Sequence, residues 1–390
     1  MNQKNKTHKQ LSHEDLCDPV NLLALTKKIK QWGHELGFQA VGITDTDLSI
    51  AEQRFNTWLE QRMHGDMEYM SRHGSKRTRP AELESGTLSI ISVRMDYFPE
   101  DPENAIKLLQ QPDMAYIARY SLGRDYHKVV RKRLQTLAKK LEQEIGTFGY
   151  RVFTDSAPVL EKPLAEKAGL GWIGKHSNVL QEKTGSWFFL GEIFTNLPLP
   201  IDTPAINHCG NCTKCITACP TQAIVEPYVV DSRLCISYLT IESRQAIPEV
   251  LRPLMGNRIY GCDDCQLFCP WNRFSQQTVE TDYFARGDLA GPQLITLFLW
   301  SEAEFLSNTE GTAIRRIGHE SWLRNIAVAL GNCLSKIKMV NKDSAETKAI
   351  IKALKLRLKH PSELVLEHVN WALKQNIPQL KLSQSKDIDG

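Results

Sequence analysis

The chain has 390 residues, 42% of them hydrophobic and 24% charged, with a net charge of +3. That is ordinary for a globular protein of two or three domains, and it excludes a polycation that would coat nucleic acid over its whole surface. No apolar run approaches the roughly 20 residues that cross a bilayer as a helix.

Residues 1–20 are polar and mixed in charge, without an apolar signal core or a twin-arginine pair, so they read as disordered and not as an export signal, and a cytoplasmic location is expected. Leu22, Leu25, Ile29, Trp32 and Leu36 then recur at helical spacing, and Gly37 ends that helix. Short strands are expected over 39–44 and 87–97. A strongly amphipathic helix spans 126–145, with Val130, Leu134, Leu137, Leu141 and Ile145 as its stripe. A strand over 150–154 delivers Asp155. A proline-opened helix over 163–169 and a strand over 187–195 follow. Residues 21–205 therefore read as an α/β or α+β domain with loops at strand ends. Beyond about 275 strand signals stop, and 321–333 and 345–375 read as helices broken at His360-Pro361. The similar pieces 322–334 and 362–373 suggest HEAT-type helical repeats, with a plain helical cap as the alternative. Residues 321–360 carry nine Lys or Arg against Asp343 and Glu346, a local charge of +7. Such a stretch suits phosphate contacts or a solvated helix face, and charge alone does not separate the two.

Eight of the ten cysteines fall between 209 and 269. They read Cys209-x2-Cys212-x2-Cys215-x3-Cys219-Pro220, then Cys235, then Cys262-x2-Cys265-x3-Cys269-Pro270. This is the ligand pattern of two [4Fe–4S] clusters. In a two-cluster run the cysteine before proline serves the neighbouring cluster. One cluster is thus assigned Cys209, Cys212, Cys215 and Cys269, and the other Cys219, Cys262 and Cys265. The second run lacks its first cysteine, because Ile259 stands there, and Cys235 completes the set. CxxC pairs also hold zinc, but zinc does not call for this doubled run with an eighth cysteine. Cys17 and Cys333 read as bystanders, Cys333 as a small core residue.

Clusters carry single electrons, so the bond chemistry lies elsewhere. The segments Asp155-Ser-Ala-Pro-Val-Leu-Glu-Lys162 and Gly169-Leu-Gly-Trp-Ile-Gly-Lys-His-Ser-Asn178 concentrate unusual residues. A carboxylate at a strand end before a turn can serve as a general acid, or merely as a turn residue. Three glycines within 169–174 let backbone approach a large flat ligand. There is no Rossmann fingerprint, P-loop, nucleophile elbow or HExxH zinc motif. Asp125-Tyr-His127 resembles the start of the DxHxxG motif whose histidine ligates cobalt. The closing glycine is missing and a long helix starts there, so His127 reads as a first-turn or substrate-side residue.

The motifs Ala118-Arg-Tyr-Ser-Leu-Gly-Arg-Asp-Tyr-His-Lys128, Asp155–Lys162, Ala165-Glu-Lys-Ala-Gly-Leu-Gly-Trp-Ile-Gly-Lys175 and Arg258-Ile-Tyr-Gly-Cys-Asp-Asp-Cys-Gln266 join the eight-cysteine layout. Together they make the chain resemble the epoxyqueuosine reductases from about residue 21 onward. The resemblance implies an α+β fold in three parts. Residues 21–205 would form a cobalamin-binding catalytic domain similar to the core of reductive dehalogenases. A bacterial-ferredoxin-like domain with two [4Fe–4S] clusters would span 206–275, and a helical, HEAT-like tRNA-binding region 276–390. It further implies reduction of epoxyqueuosine to queuosine in tRNA, with electrons passing from an external flavodoxin or ferredoxin through the clusters to cobalamin. Asp155 would be the proton donor, its pKa expected to be raised by burial against the corrin. Arg77, Ala118, Asp155, Lys175, His176, Ser177, Asn178 and Ser237 would contact cobalamin. No coiled-coil signal is present, so a monomer is expected. The competing expectations are a cytoplasmic reductive dehalogenase, which the +7 stretch and the lack of a twin-arginine signal speak against, a ferredoxin-type electron-transfer protein, which would leave 21–205 unused, and an iron–sulfur protein that only binds RNA.

Overall fold

The computed structural model describes residues 18–98, 102–338 and 344–376. Cys17 lies outside them. Helix α1 (Pro19–Glu35) opens with Asp18, whose carboxylate accepts the Val20 N–H at 2.9 Å. It therefore starts inside the stretch expected to be disordered, because Asp-Pro is a strong N-cap and first-turn pair.

Four strands form one antiparallel sheet: β1 (Ala40–Thr44), β2 (Ser89–Asp96), β3 (Tyr150–Phe153) and β4 (Phe188–Thr195), in the order β1-β2-β4-β3. Side chains alternate across a sheet with period two. Ile91, Val93 and Met95 of β2 accordingly meet the apolar stripes of α1 and of α2 (Tyr126–Ile145). Ile90 and Phe194 face the other way, toward Phe153 and toward Leu164 of α3 (Glu161–Lys167). The two central strands are buried on both faces, which is why they read as nearly unbroken apolar runs. Gly191 of β4 is required by packing: a Cβ there would lie 2.8 Å from both Leu134 and Val130. Its absence lets α2 lie close on the sheet. Helix α3 starts at Glu161, not at Pro163, so Pro163 occupies its first turn, where its missing N–H costs nothing.

The second core holds the rest together. It joins α4 (Ile236–Ile241), β5 (Arg258–Tyr260) and the C-terminal helices α5 (Gly318–Lys338), α6 (Ala345–Leu356) and α7 (Glu363–Lys374). The C-terminal helices thus share one apolar core with the segments that carry Cys235 and Cys262. Two adjacent buried polar residues of α5 tie them. Arg324 donates to the carbonyls of Leu239, Ser243 and Gln245. Asn325 Nδ2 donates to the carbonyls of Thr240 at 2.9 Å and Ile259 at 2.8 Å, and its Oδ1 accepts from Arg324. The +7 stretch needs correcting on this point: Arg324 is fully buried and unavailable to phosphates. Arg357 donates to the carbonyls of Phe298 and Trp300. Lys336, Lys348, Lys352, Lys355 and Lys359 are exposed, and Lys342 lies outside the described residues. Among the described residues no helix is long and apolar enough to cross a membrane.

Candidate redox and proton-transfer site

The eight cysteines are distributed between two cavities. Cys209, Cys212, Cys215 and Cys269 line a small one, together with Leu180 and Trp271. Cys219, Cys235, Cys262 and Cys265 line part of a cavity of about 1450 Å³. The spatial grouping follows the same division as the count along the sequence. Backbone geometry accounts for it locally. Cys219 and Cys269 precede prolines, which hold them extended at φ −66°, ψ 113° and φ −73°, ψ 124°. Cys235 has no proline after it, yet takes the same φ −73°, ψ 124° at the start of α4. The Cys262 loop is held by the buried pair Arg258–Asp264, whose carboxylate also lies 3.0 Å from the Cys262 sulfur. Zinc needs four donors about 2.3 Å or less from one point. Among the described residues no three His, Cys, Asp or Glu side chains are placed to hold a single metal ion, and each set of four thiols lines a cavity.

The larger cavity exceeds the roughly 300–1,000 Å³ typical of sites for small ligands. Aromatic and apolar residues make up much of its wall, among them Trp58, Tyr97, Tyr120, Tyr126 and Phe189. Of the predicted contacts, His176, Ser177, Asn178 and Ser237 line it. Ser177 adopts φ +63°, which turns the chain sharply between its neighbours. Arg77, Ala118, Asp155 and Lys175 do not line it. Arg77 is buried behind the wall and donates to the carbonyls of Tyr69 and Met70, two residues that do. Ala118 is buried, and its N–H bonds the Tyr260 carbonyl at 2.8 Å. Lys175 reaches the other way: its ammonium donates to the carbonyls of Gly210 at 2.7 Å and Cys212 at 3.0 Å, fixing the first cysteine loop.

Asp155 follows β3 with φ +53°, a left-handed conformation that Asp tolerates better than most residues. Its carboxylate accepts a hydrogen bond from the Tyr126 hydroxyl, and Tyr126 lines the larger cavity. The same oxygen lies 3.1 Å from His127 Nε2, while His127 Nδ1 lies 2.7 Å from Asp125. Burial favours neutral His127, but its bonds to Asp125 and Asp155 outweigh that and raise its pKa to about 9. The expectation for Asp155 is overturned here. Burial does push its pKa up, yet the hydrogen bonds from His127 and Tyr126 win, and the carboxyl lies below the usual aspartate value. The protons are stored beside it instead. Glu161 accepts the Asp155 N–H, and burial followed by repulsion from Asp155 raises it to about 7. Fully buried Glu192 is held well above the ordinary glutamate value by burial and by Glu161. Lys162 lines the larger cavity and donates to Asn178 at 3.0 Å; burial lowers its pKa.

Sequence reasoning singled out Asp155 but not the titratable groups around it. Glu161 and Lys162 stand in the highlighted segment without a role, and His127 reads from the sequence as a first-turn or substrate-side residue. The arrangement can move a proton to an atom bound near Tyr126, which lines the same cavity as four thiols and is hydrogen-bonded to Asp155.

Comparisons with known proteins identify the family. A family model described as "Epoxyqueuosine reductase QueG, DUF1730" matches residues 77–156, and one for a "4Fe-4S double cluster binding domain" matches 208–272. The epoxyqueuosine reductase of Pseudomonas aeruginosa is 55% identical over 364 residues, covering 93% of this chain and 97% of that one. The Escherichia coli epoxyqueuosine reductase is 56% identical over 363 residues, covering 93% and 92%. A crystal structure of an epoxyqueuosine reductase with an epoxyqueuosine-modified tRNA-Tyr stem loop superposes with a TM-score of 0.76 at 24% identity, over 91% of this chain and 99% of that one. That of Streptococcus thermophilus gives 0.71 at 26% identity, over 90% and 98%. This chain belongs to the epoxyqueuosine reductase family.

Proposed function

We propose that the protein is an oxidoreductase that converts epoxyqueuosine to queuosine at the wobble position of tRNA anticodons, the last step in making that nucleoside. The reaction takes two electrons and two protons. The epoxide oxygen leaves as water and a ring double bond remains. Cys209, Cys212, Cys215 and Cys269 would hold one [4Fe–4S] cluster, and Cys219, Cys235, Cys262 and Cys265 a second. The large, aromatic-walled cavity beside the second set fits cobalamin, held by His176, Ser177, Asn178 and Ser237 with Arg77, Ala118 and Lys175 buttressing the surrounding backbone. Bound there, cobalamin supplies a reductant of low enough potential to open the epoxide. Everything else is the work of the chain itself.

Asp155, oriented by Tyr126, faces the oxygen that departs. At neutral pH Asp155 is ionised and His127 carries the proton; His127 passes it across their shared hydrogen bond to the Asp155 carboxylate, which delivers it to the oxygen and is ionised again. Charge develops on the opening oxygen, which is where an acid lowers the barrier most. Glu161 is poised near pH 7 to supply the second proton. Electrons enter at the small cavity, because Cys212 is exposed there, from a flavodoxin or ferredoxin type of donor. The exposed lysines of α5 and α6 meet tRNA phosphates, and the substrate nucleoside is splayed out to reach the cavity. Residues 21–205 thereby hold the reacting groups, 206–275 the clusters and 276–390 the tRNA, all within one chain acting as a monomer in the cytoplasm.

The observation that carries this reading is the junction of a four-thiol wall with a large cavity whose Tyr126 holds Asp155. The test is anaerobic reconstitution with iron, sulfide and cobalamin, followed by mass spectrometry of nucleosides from epoxyqueuosine-containing tRNA with a strong chemical reductant. Wild type should release queuosine. D155N should lose about 10²–10⁴-fold in rate while keeping its iron and cobalamin. No queuosine from a fully loaded wild type would reject the assignment.

A further inference from the structure

His176 stands where the two cavities meet. Among the described residues it alone lines both. The residue is buried, with 4% of its surface exposed. Its Nδ1 accepts the N–H of Asn178 at 3.1 Å, and Asn178 lines the larger cavity. A ring nitrogen that accepts a hydrogen bond carries no proton, so the hydrogen of the neutral ring sits on Nε2. That Nε2–H has no hydrogen-bond partner among the described residues, which is costly for a buried donor.

The ring's direction follows from its other neighbours. A Cβ built at Gly174 would lie 3.3 Å from Nε2 and 2.7 Å from the Leu180 Cδ1. Leu180 lines only the small thiol cavity. The Nδ1 end therefore belongs to the larger cavity and the Nε2 end to the Cys209 set. Gly174 leaves the ring room to lie there, since any side chain at that position would press on it.

We propose that the His176 Nε2–H donates a hydrogen bond to a sulfur of the cluster held by Cys209, Cys212, Cys215 and Cys269, and so sets that cluster's reduction potential. The inference rests on the two-cluster reading above. One-electron reduction adds negative charge to the cluster, and hydrogen bonds to its sulfurs favour the charged form. Removing the donor should therefore make that cluster harder to reduce. His176 acts through the cluster and is a positioning residue, not a catalytic one.

The test is an EPR-monitored redox titration of the reconstituted, cobalamin-free full-length chain, comparing wild type with H176F and H176Q. Wild type must first show about eight irons per chain; failure at that step would reject the two-cluster reading and not the role of His176. With iron retained, H176F should lower the reduced-to-oxidised ratio of that cluster at a given potential by about tenfold, equal to a downward shift of about 59 mV for one electron. H176Q keeps an N–H donor and should return toward the wild-type value. Unchanged potentials in H176F, or an equal shift in H176Q, would overturn the proposal. If H176F does not retain its iron, H176Q decides: a potential near wild type supports the hydrogen bond, and a tenfold change overturns it.

Discussion

His127 offers the sharpest test of the acid assignment. It sits between Asp125 and Asp155, at 2.7 and 3.1 Å, with a quarter of its side chain exposed. Its pKa of about 9 against an ordinary value of 6.5 corresponds to ~3 kcal/mol of preference for the protonated ring in the folded chain. A raised histidine pKa stabilises the fold fully below the unfolded value near 6.5, and that contribution disappears as pH rises through about 9. Wild-type stability should therefore decline between pH 6.5 and 9 by up to ~3 kcal/mol more than that of H127Q. The turnover rate should show an alkaline limb near pH 9, because the proton that Asp155 passes on is then gone. H127Q should lack that limb and lose about 10²-fold or more in rate. The assays are denaturant unfolding of the cofactor-free chain across pH, and queuosine formation under single-turnover conditions over the same range. An alkaline limb unchanged in H127Q, or a His127 ring resonance that titrates near 6.5 by NMR, would refute the reasoning.

Asn325 is expected to matter for the clusters although it touches no cysteine. N325A strands two buried carbonyls and one face of the Arg324 guanidinium, at ~3–5 kcal/mol in total, and should lower both thermal stability and iron content; melting and iron like wild type would show that the α5 tie is dispensable. C235S should reduce iron to about half of eight per chain, whereas C333A should retain all of it, as an iron assay after anaerobic reconstitution will show. The double variant K352E/K355E should weaken binding of the tRNA stem loop and flatten its dependence on salt by about two phosphate contacts. A salt slope equal to that of wild type would place the RNA elsewhere.

Much of the chemistry was written locally in the chain. The cysteine spacings carry the cluster assignment because neighbouring ligands of one cluster come from a single turn of backbone, and prolines 220 and 270 impose the extended conformation of the preceding cysteines. Helix α2 and strands β2 and β4 were legible because burial repeats with a period of 3.6 or fills a central strand completely. Asp155 was visible as a carboxylate at a strand end. What tertiary structure decided was the company each group keeps. The pKa of Asp155 turned downward because Tyr126 and His127, some 28 residues earlier, swing over it from the first turn of α2, and no local pattern encodes that approach. Arg324 looked like one more cation in a +7 stretch, yet the core formed by α4, β5 and α5 encloses it. Lys175 and His176 are adjacent in sequence but serve different purposes: one ties the first cysteine loop and the other bridges the two cavities. Spacing along a chain determines which ligands can share a centre. Proton affinities and burial depend on distances across the fold, and these exist only once the sheet, the cluster segment and the C-terminal helices have packed together.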